Sequence, residues 1–171
     1  MLLDYEASLA RSTRSTGEGG FTNCTLVTFE LAGQVIGVEV EHVREILDLH
    51  TLVKLPNATP YCEGLIDARG ESIPVVDMSA LLGMPRGDAG HETRIIILEI
   101  TRNDQRKPIG IIAEKVLNVQ ALSNDQIQPP PHDAVPIDNS HGIIGLARLD
   151  GRLCVLLDVP SVLADCIKSR F

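Results

Sequence analysis

The chain has 171 residues, 44% of them apolar, with 23 acidic against 15 basic residues and a net charge of −8. That balance excludes broad nucleic-acid binding, which needs cationic surface to displace counterions, and docking on an anionic membrane surface. No apolar run approaches the roughly 20 residues of a spanning helix. The start, "MLLDYEASLARS", has an acid at Asp4 and no basic region before an apolar stretch, so it does not read as a signal peptide. A cytoplasmic protein without membrane insertion is expected. Residues 1–20 end in "STRSTGEGG" and read as a flexible N-terminal extension. Folded structure is expected from residue 21. "FTNCTLVTFELAG" and "QVIGVEV" suit strands. Further strands are expected at 51–55, 62–68, 71–77, 94–101, 107–113, 142–149 and 152–157. Short helices are expected at 77–82 and 158–168, each opened by an aspartate that can cap a first turn. The Gly/Pro-rich stretch 83–92 divides the chain into lobe 1, about 21–92, and lobe 2, about 93–160, followed by a C-terminal helix at about 159–168. The prolines of 128–142 forbid a regular central strand. Many short strands punctuated by Gly and Pro indicate an all-β barrel or sandwich class.

A length of 171 residues buries about 70% of the unfolded surface. Trp is absent and only five residues are Phe or Tyr, so aliphatic side chains must build the core. Cys24, Cys62, Cys154 and Cys166 form no CxxC pair, and no histidine sits at ligand spacing from them. Packed, reduced thiols are the reading. The histidines His42, His50, His91, His132 and His141 are scattered, so no metal and no cofactor are expected.

The two halves repeat. "VIGVEVEHVREI" (35–46) aligns with "PIGIIAEKVLNV" (108–119), and "GLIDARGESIPVVDMSALL" (64–82) with "GLARLDGRLCVLLDVPSVL" (145–163). Two copies of one small barrel follow. Gly70 and Gly151 fall at equivalent hairpin tips, where positive φ favours glycine. Asp77 and Asp158 occur in both copies at a strand-to-helix junction, which fits capping and not a catalytic carboxylate. Three tip charges invert: Asp67, Arg69 and Glu71 align with Arg148, Asp150 and Arg152. Arg69 is not required by the turn, since Asp150 serves the same place, and Glu45 aligns with Asn118. No GxSxG, GxxxxGK, HExxH or GxGxxG occurs, so nothing points to catalysis.

"VREI" (43–46), "LPNATPYCEGLIDARGESIPVVDM" (55–78), "KPIGIIAEKVLNV" (107–119), "IQPPP" (127–131) and "GIIGLARLDGRLCVLLDV" (142–159) resemble the chemotaxis coupling protein (CheW) family, in order over about residues 21–165. The resemblance implies two packed five-stranded SH3-like β-barrels with short helices. It implies a non-catalytic adaptor linking the cytoplasmic tip of a chemoreceptor (a methyl-accepting chemotaxis protein) to a CheA-type histidine kinase in a membrane-associated array. Receptor coupling is carried over to Val43, Glu45, Gly64, Arg69 and Gly70. Kinase contacts are carried over to Gly110, Leu117, Asn118 and Val119. The family's Asn-Leu-Arg-Gly turn is Asp67-Ala68-Arg69-Gly70 here, and its usual Val-Asp is Ala113-Glu114. An ion pair of Glu45 with Arg69 is expected beside a groove for an apolar receptor helix. Two alternatives stay open: a coupling protein of a twitching or surface-sensing pathway, and a barrel enzyme or small-ligand-binding protein using a cleft between the barrels.

Overall fold

The computed structural model describes residues 23–131, 133 and 142–168. The extension expected at 1–20 and most of the proline-rich stretch 128–142 lie outside those residues, as do His132 and His141. The described strands are β1 (Cys24–Leu31), β2 (Gln34–Glu39), β3 (Val43–Asp48), β4 (Cys62–Ala68), β5 (Glu71–Val76), β6 (Arg94–Arg102), β7 (Gln105–Ala113), β8 (Lys115–Leu122), β9 (Ile127–Gln128), β10 (Ile143–Leu149) and β11 (Arg152–Leu157). Helices α1 (Met78–Leu81) and α2 (Val159–Lys168) follow β5 and β11.

Two expectations about the strands change. Residues 51–55 do not form a strand; Val53 makes a single bridge to Leu65. Pro56 lacks a donor and restricts Leu55, which explains why pairing stops there. Strands β3 and β8 and the two-residue β9 were not foreseen; in β3 and β8 charged and polar residues interrupt the apolar pattern. Only Val43 is buried in β3, and only Leu122 in β8.

The chain forms two compact units. The first barrel comprises Phe29–Gln34 and His42–Val116. The second takes the described residues up to Thr28, Val35–Glu41 and the residues from Leu117. The chain therefore leaves the first barrel after Val116, not at residues 92–93. Strands β6 and β7 belong with β3 and β5, so the loop 83–92 stays inside the first barrel.

The first sheet has the order β3-β6-β7-β5-β4, and the second β8-β1-β2-β11-β10-β9. Strand for strand the orders match. β9 is an extra of two residues, and its counterpart is the bridge at Val53. Register repeats as well. Val75 pairs Gly110 and Val76 pairs Ile111 in the parallel ladder of β5 and β7. At the aligned places Leu156 pairs Gly37 and Leu157 pairs Val38. Even the irregularity repeats: pairing shifts between Cys62 and Gly64 in β4, and between Ile143 and Gly145 in β10.

Each unit closes on its own aliphatic core. Ile66, Ala68, Ile73, Val75, Ile95 and Ile97 build the first. Leu26, Val35, Leu122, Ala147, Leu149, Cys154 and Leu156 build the second. Gly37 and Gly110 are packing necessities of those cores. A Cβ on Gly37 would lie 3.0 Å from a methyl of Leu156, and one on Gly110 3.0 Å from a methyl of Val75.

The cap residues behave as a pair. The Asp77 and Asp158 N–H groups each donate 2.7 Å to a carbonyl, of Tyr61 and Gly142 respectively. Asp77 then accepts from the Ser79 N–H at 2.9 Å, a helix N-cap. Asp158 accepts from the Ser161 hydroxyl at 2.6 Å.

Candidate functional site

The β4–β5 hairpin ends in a turn with positive φ at Arg69 (56°) and Gly70 (80°), and the β10–β11 hairpin does the same at Asp150 (49°) and Gly151 (77°). Left-handed backbone costs an ordinary L-residue about 1–2 kcal/mol. Aspartate tolerates it through local hydrogen bonding, whereas arginine has no such device. Arg69 therefore holds its place against the preference of the backbone.

Its side chain explains why. The Arg69 Nη2 lies 3.1 Å from the Glu45 Oε2, with the arginine side chain 81% exposed and the glutamate 15%. A second pair runs alongside: the Arg44 Nη1 donates to the Glu71 Oε2 at 2.9 Å. That bond and the nearby carboxylate charges hold the Arg44 guanidinium pKa above its ordinary value. β3 and the β4–β5 hairpin stand at opposite ends of the strand order, so these two crossed pairs fasten the curled sheet at its tip. Asp67 does not compete for Arg69. Its carboxylate accepts from the Gly70 N–H at 2.9 Å and braces the turn.

Of the receptor residues expected from sequence, the structure brings Glu45, Arg69 and Gly70 together at this tip. Val43 is buried at the start of β3, paired with Leu98. Gly64 lies at the other end of β4. Its φ is +144°, and a Cβ there would come 2.6 Å from the Val53 carbonyl oxygen. At Gly145, its twin, a Cβ would lie 2.8 Å from the Gln128 carbonyl oxygen. Close backbone approach thus accounts for both glycines. Among the kinase residues, Gly110 is buried in the first barrel and the other three lie on β8 in the second. Leu117 packs on the second core, Val119 is half-buried and Asn118 is exposed. The Asn118 backbone serves the buried Thr28 hydroxyl, which donates to its carbonyl and accepts from its N–H, both at 3.1 Å.

Several roles escaped sequence reasoning. Glu63 is a buried carboxylate, 2.8 Å from the Arg86 guanidinium and 3.6 Å from the Lys54 ammonium. It pins the loop 83–92 to β4, and its bond is the main reason the Arg86 pKa is raised. Glu114 accepts from the Ala32 N–H at 2.6 Å and the Gly33 N–H at 3.4 Å, holding the β1–β2 turn. These groups border an open cleft of about 330 Å³ in the first barrel, with Asp77 and His50. Three of its four carboxylates, Glu63, Asp77 and Glu114, are engaged in holding a loop, cap or turn. The cysteines are free thiols. Burial pushes the Cys154 thiol up to about 11, and burial with the nearby Glu39 charge raises that of Cys24. Among the described residues no helix is long and apolar enough to cross a membrane.

Two curled sheets of matching strand order, each with a hairpin tip, define a tandem SH3-like barrel protein whose distinctive chemistry lies on its surface. The chain belongs to the CheW-like domain family, the scaffold and coupling proteins of chemotaxis: the family profile matches residues 25–166. It is 29% identical over 137 residues to "Chemotaxis protein CheW" of Rhizobium meliloti (strain 1021), covering 80% of this chain and 85% of that protein. It is 25% identical to "Chemotaxis protein CheW" of Klebsiella aerogenes, covering 93% and 92%. Among solved structures, scaffolding protein TtCheW from Thermoanaerobacter tengcongensis matches with a TM-score of 0.70 at 26% identity, over 85% of this chain and 91% of that one.

Proposed function

We propose that this protein is a non-catalytic adaptor that couples the cytoplasmic tip of a chemoreceptor to a CheA-type histidine kinase, in the cytoplasm at membrane-associated receptor arrays. The first barrel takes the receptor at the tip formed by Glu45, Arg69 and Gly70, with Val43 and Gly64 fixing the strands beneath. The second barrel takes the kinase, with Leu117, Asn118 and Val119 on its β8 strand. Gly110 contributes through packing alone.

The observation that carries this reading is the Glu45–Arg69 pair in one copy of the repeat only. Its twin positions hold Asn118 and Asp150, and the fold is the same. With the Arg69 side chain exposed to solvent, the pair contributes only about 1 kcal/mol to folding, so stability alone does not account for it. Removing one partner of a charge pair that a receptor desolvates costs about 2–5 kcal/mol of binding, roughly 30-fold or more in affinity. Arg69→Glu is accordingly expected to weaken binding of a receptor cytoplasmic fragment by that factor and to spare kinase binding. Equal losses of both partners in titration calorimetry would reject the division of labour.

A further inference from the structure

The loop 83–92 exists in one copy of the repeat only. Helix α1 ends where Gly83 takes φ 66°, its N–H donating back to the Ala80 carbonyl at 3.3 Å. The aligned residue of the second copy is Ala164, and there α2 runs on to Lys168. The same barrel thus closes with a continued helix in place of the loop. In the first copy Arg86 fastens the loop to Glu63, and Gly87 lies against the Glu114 carboxylate, in space a Cβ would need. Residues Arg86, Gly87, Asp88 and Ala89 then wall the open cleft of about 330 Å³. That volume falls in the range of small-molecule sites, about 300–1,000 Å³.

Two chemistries meet in this cleft. Leu31, Leu49, Leu52 and Ile112 give it aliphatic surface. Among them stand four carboxylates, Glu63, Asp77, Asp88 and Glu114, against two permanent cations, Lys54 and Arg86. Both cations converge on the buried Glu63. The other three acids make no ion pair among the described residues. Asp77 and Glu114 accept from backbone N–H groups, and a neutral donor orients a carboxylate without cancelling its charge. Asp88 is exposed on the loop. A cleft of one prevailing sign with low-dielectric walls concentrates the opposite charge, here a cation. A single metal ion fits poorly, because no three of the cleft's side chains bring ligand atoms within 4.8 Å of one another. Separate anionic points joined by aliphatic surface match separate cationic points joined by methylenes.

We propose that this cleft binds a linear aliphatic polyamine, with ammonium groups at Asp77, Asp88 and Glu114 and methylene runs on Leu31, Leu52 and Ile112. An anionic ligand fits worse, since Glu63 already takes both cations. The site stands at the opposite end of β4 from Arg69 and does not depend on the adaptor reading.

Calorimetric titration of the full-length chain with spermidine at low ionic strength tests this. Saturable one-to-one binding is expected, weaker for 1,4-diaminobutane and weaker again for butylamine. Asp88→Asn with Glu114→Gln removes two charges and keeps an acceptor for the Ala32 N–H; it should weaken spermidine binding about tenfold or more. Asp104→Asn and Asp125→Asn together remove as much charge outside the cleft and should leave affinity within about twofold. Should Glu114→Gln unsettle the β1–β2 turn, Asp88→Asn decides alone, with a loss of about threefold, since it alters only an exposed side chain. Absence of saturable binding overturns the proposal. So does an equal loss from the two acid pairs, or magnesium displacing spermidine charge for charge, because either marks diffuse attraction to an acidic protein. Cleft variants that bind as the parent does overturn it as well.

Discussion

Arg69 is held by two opposed preferences. Its backbone sits at φ 56°, where glycine is favoured, and its guanidinium meets Glu45 at 3.1 Å. Arg69→Gly relieves about 1 kcal/mol of backbone cost and forfeits a pair of about 1 kcal/mol whose arginine is exposed and whose glutamate is largely buried. Urea unfolding should therefore show stability little changed, while receptor affinity falls; a clear loss of stability would mean that Arg69 is a structural residue. Gly64 should behave in the opposite way. An alanine there drives a Cβ to 2.6 Å from a carbonyl oxygen at φ +144°. A loss of about 2 kcal/mol or more is expected for Gly64→Ala, in the range of strained and overpacked sites. Intact stability in the same assay would contradict the close approach of β4 to Val53. Glycine was legible in the sequence at both tips because a two-residue hairpin needs positive φ. Gly64 was not legible in its structural role: the close approach of the Val53 backbone comes from a residue distant in the chain and leaves no local signal.

At the scale of elements, the repeat told more than the strand pattern did. Aligned residues fall in the same register in β5 with β7 and in β11 with β2. What alignment could not reveal is the exchange. The β1–β2 hairpin completes the barrel of β8–β11, and β6–β7 completes that of β3–β5. A linear chain carries no sign of which hairpin pairs where, so a division at residues 92–93 followed naturally from the Gly/Pro-rich loop. That loop is fastened by Glu63, whose carboxylate takes Arg86 at 2.8 Å. Composition suggests a linker, and one buried acid makes it a brace. Glu63→Gln should free it: trypsin is expected to cut after Arg86 several-fold faster, with the global unfolding midpoint little changed. An unchanged cleavage rate would show that other contacts hold the loop.

For the whole molecule, the cores are aliphatic, as a chain with no tryptophan and few other aromatic residues requires, and two of the four thiols, Cys154 and Cys166, are buried. Cys154 ties stability to alkaline pH. Its folded pKa, about 11, stands above the ordinary 9.0. The folded state then retains a proton that the unfolded chain releases, so this contribution is present in full below about pH 9 and fades as pH rises toward 11. Chemical denaturation between those values should show falling stability, with a shallower fall for Cys154→Ala; identical slopes would rule the thiol out as the cause. The charge contrast between the two tips, with Glu45–Arg69 in one barrel alone, sets the larger expectation that each barrel serves a different partner. A three-component sedimentation experiment tests this most directly, using a receptor cytoplasmic fragment, a CheA-type kinase and this protein. The unaltered chain should carry kinase into the receptor complex, and Arg69→Glu should leave a binary complex with kinase that no longer joins receptor. Loss of both interactions together, or an Arg69→Glu chain that still bridges the two, would contradict the account.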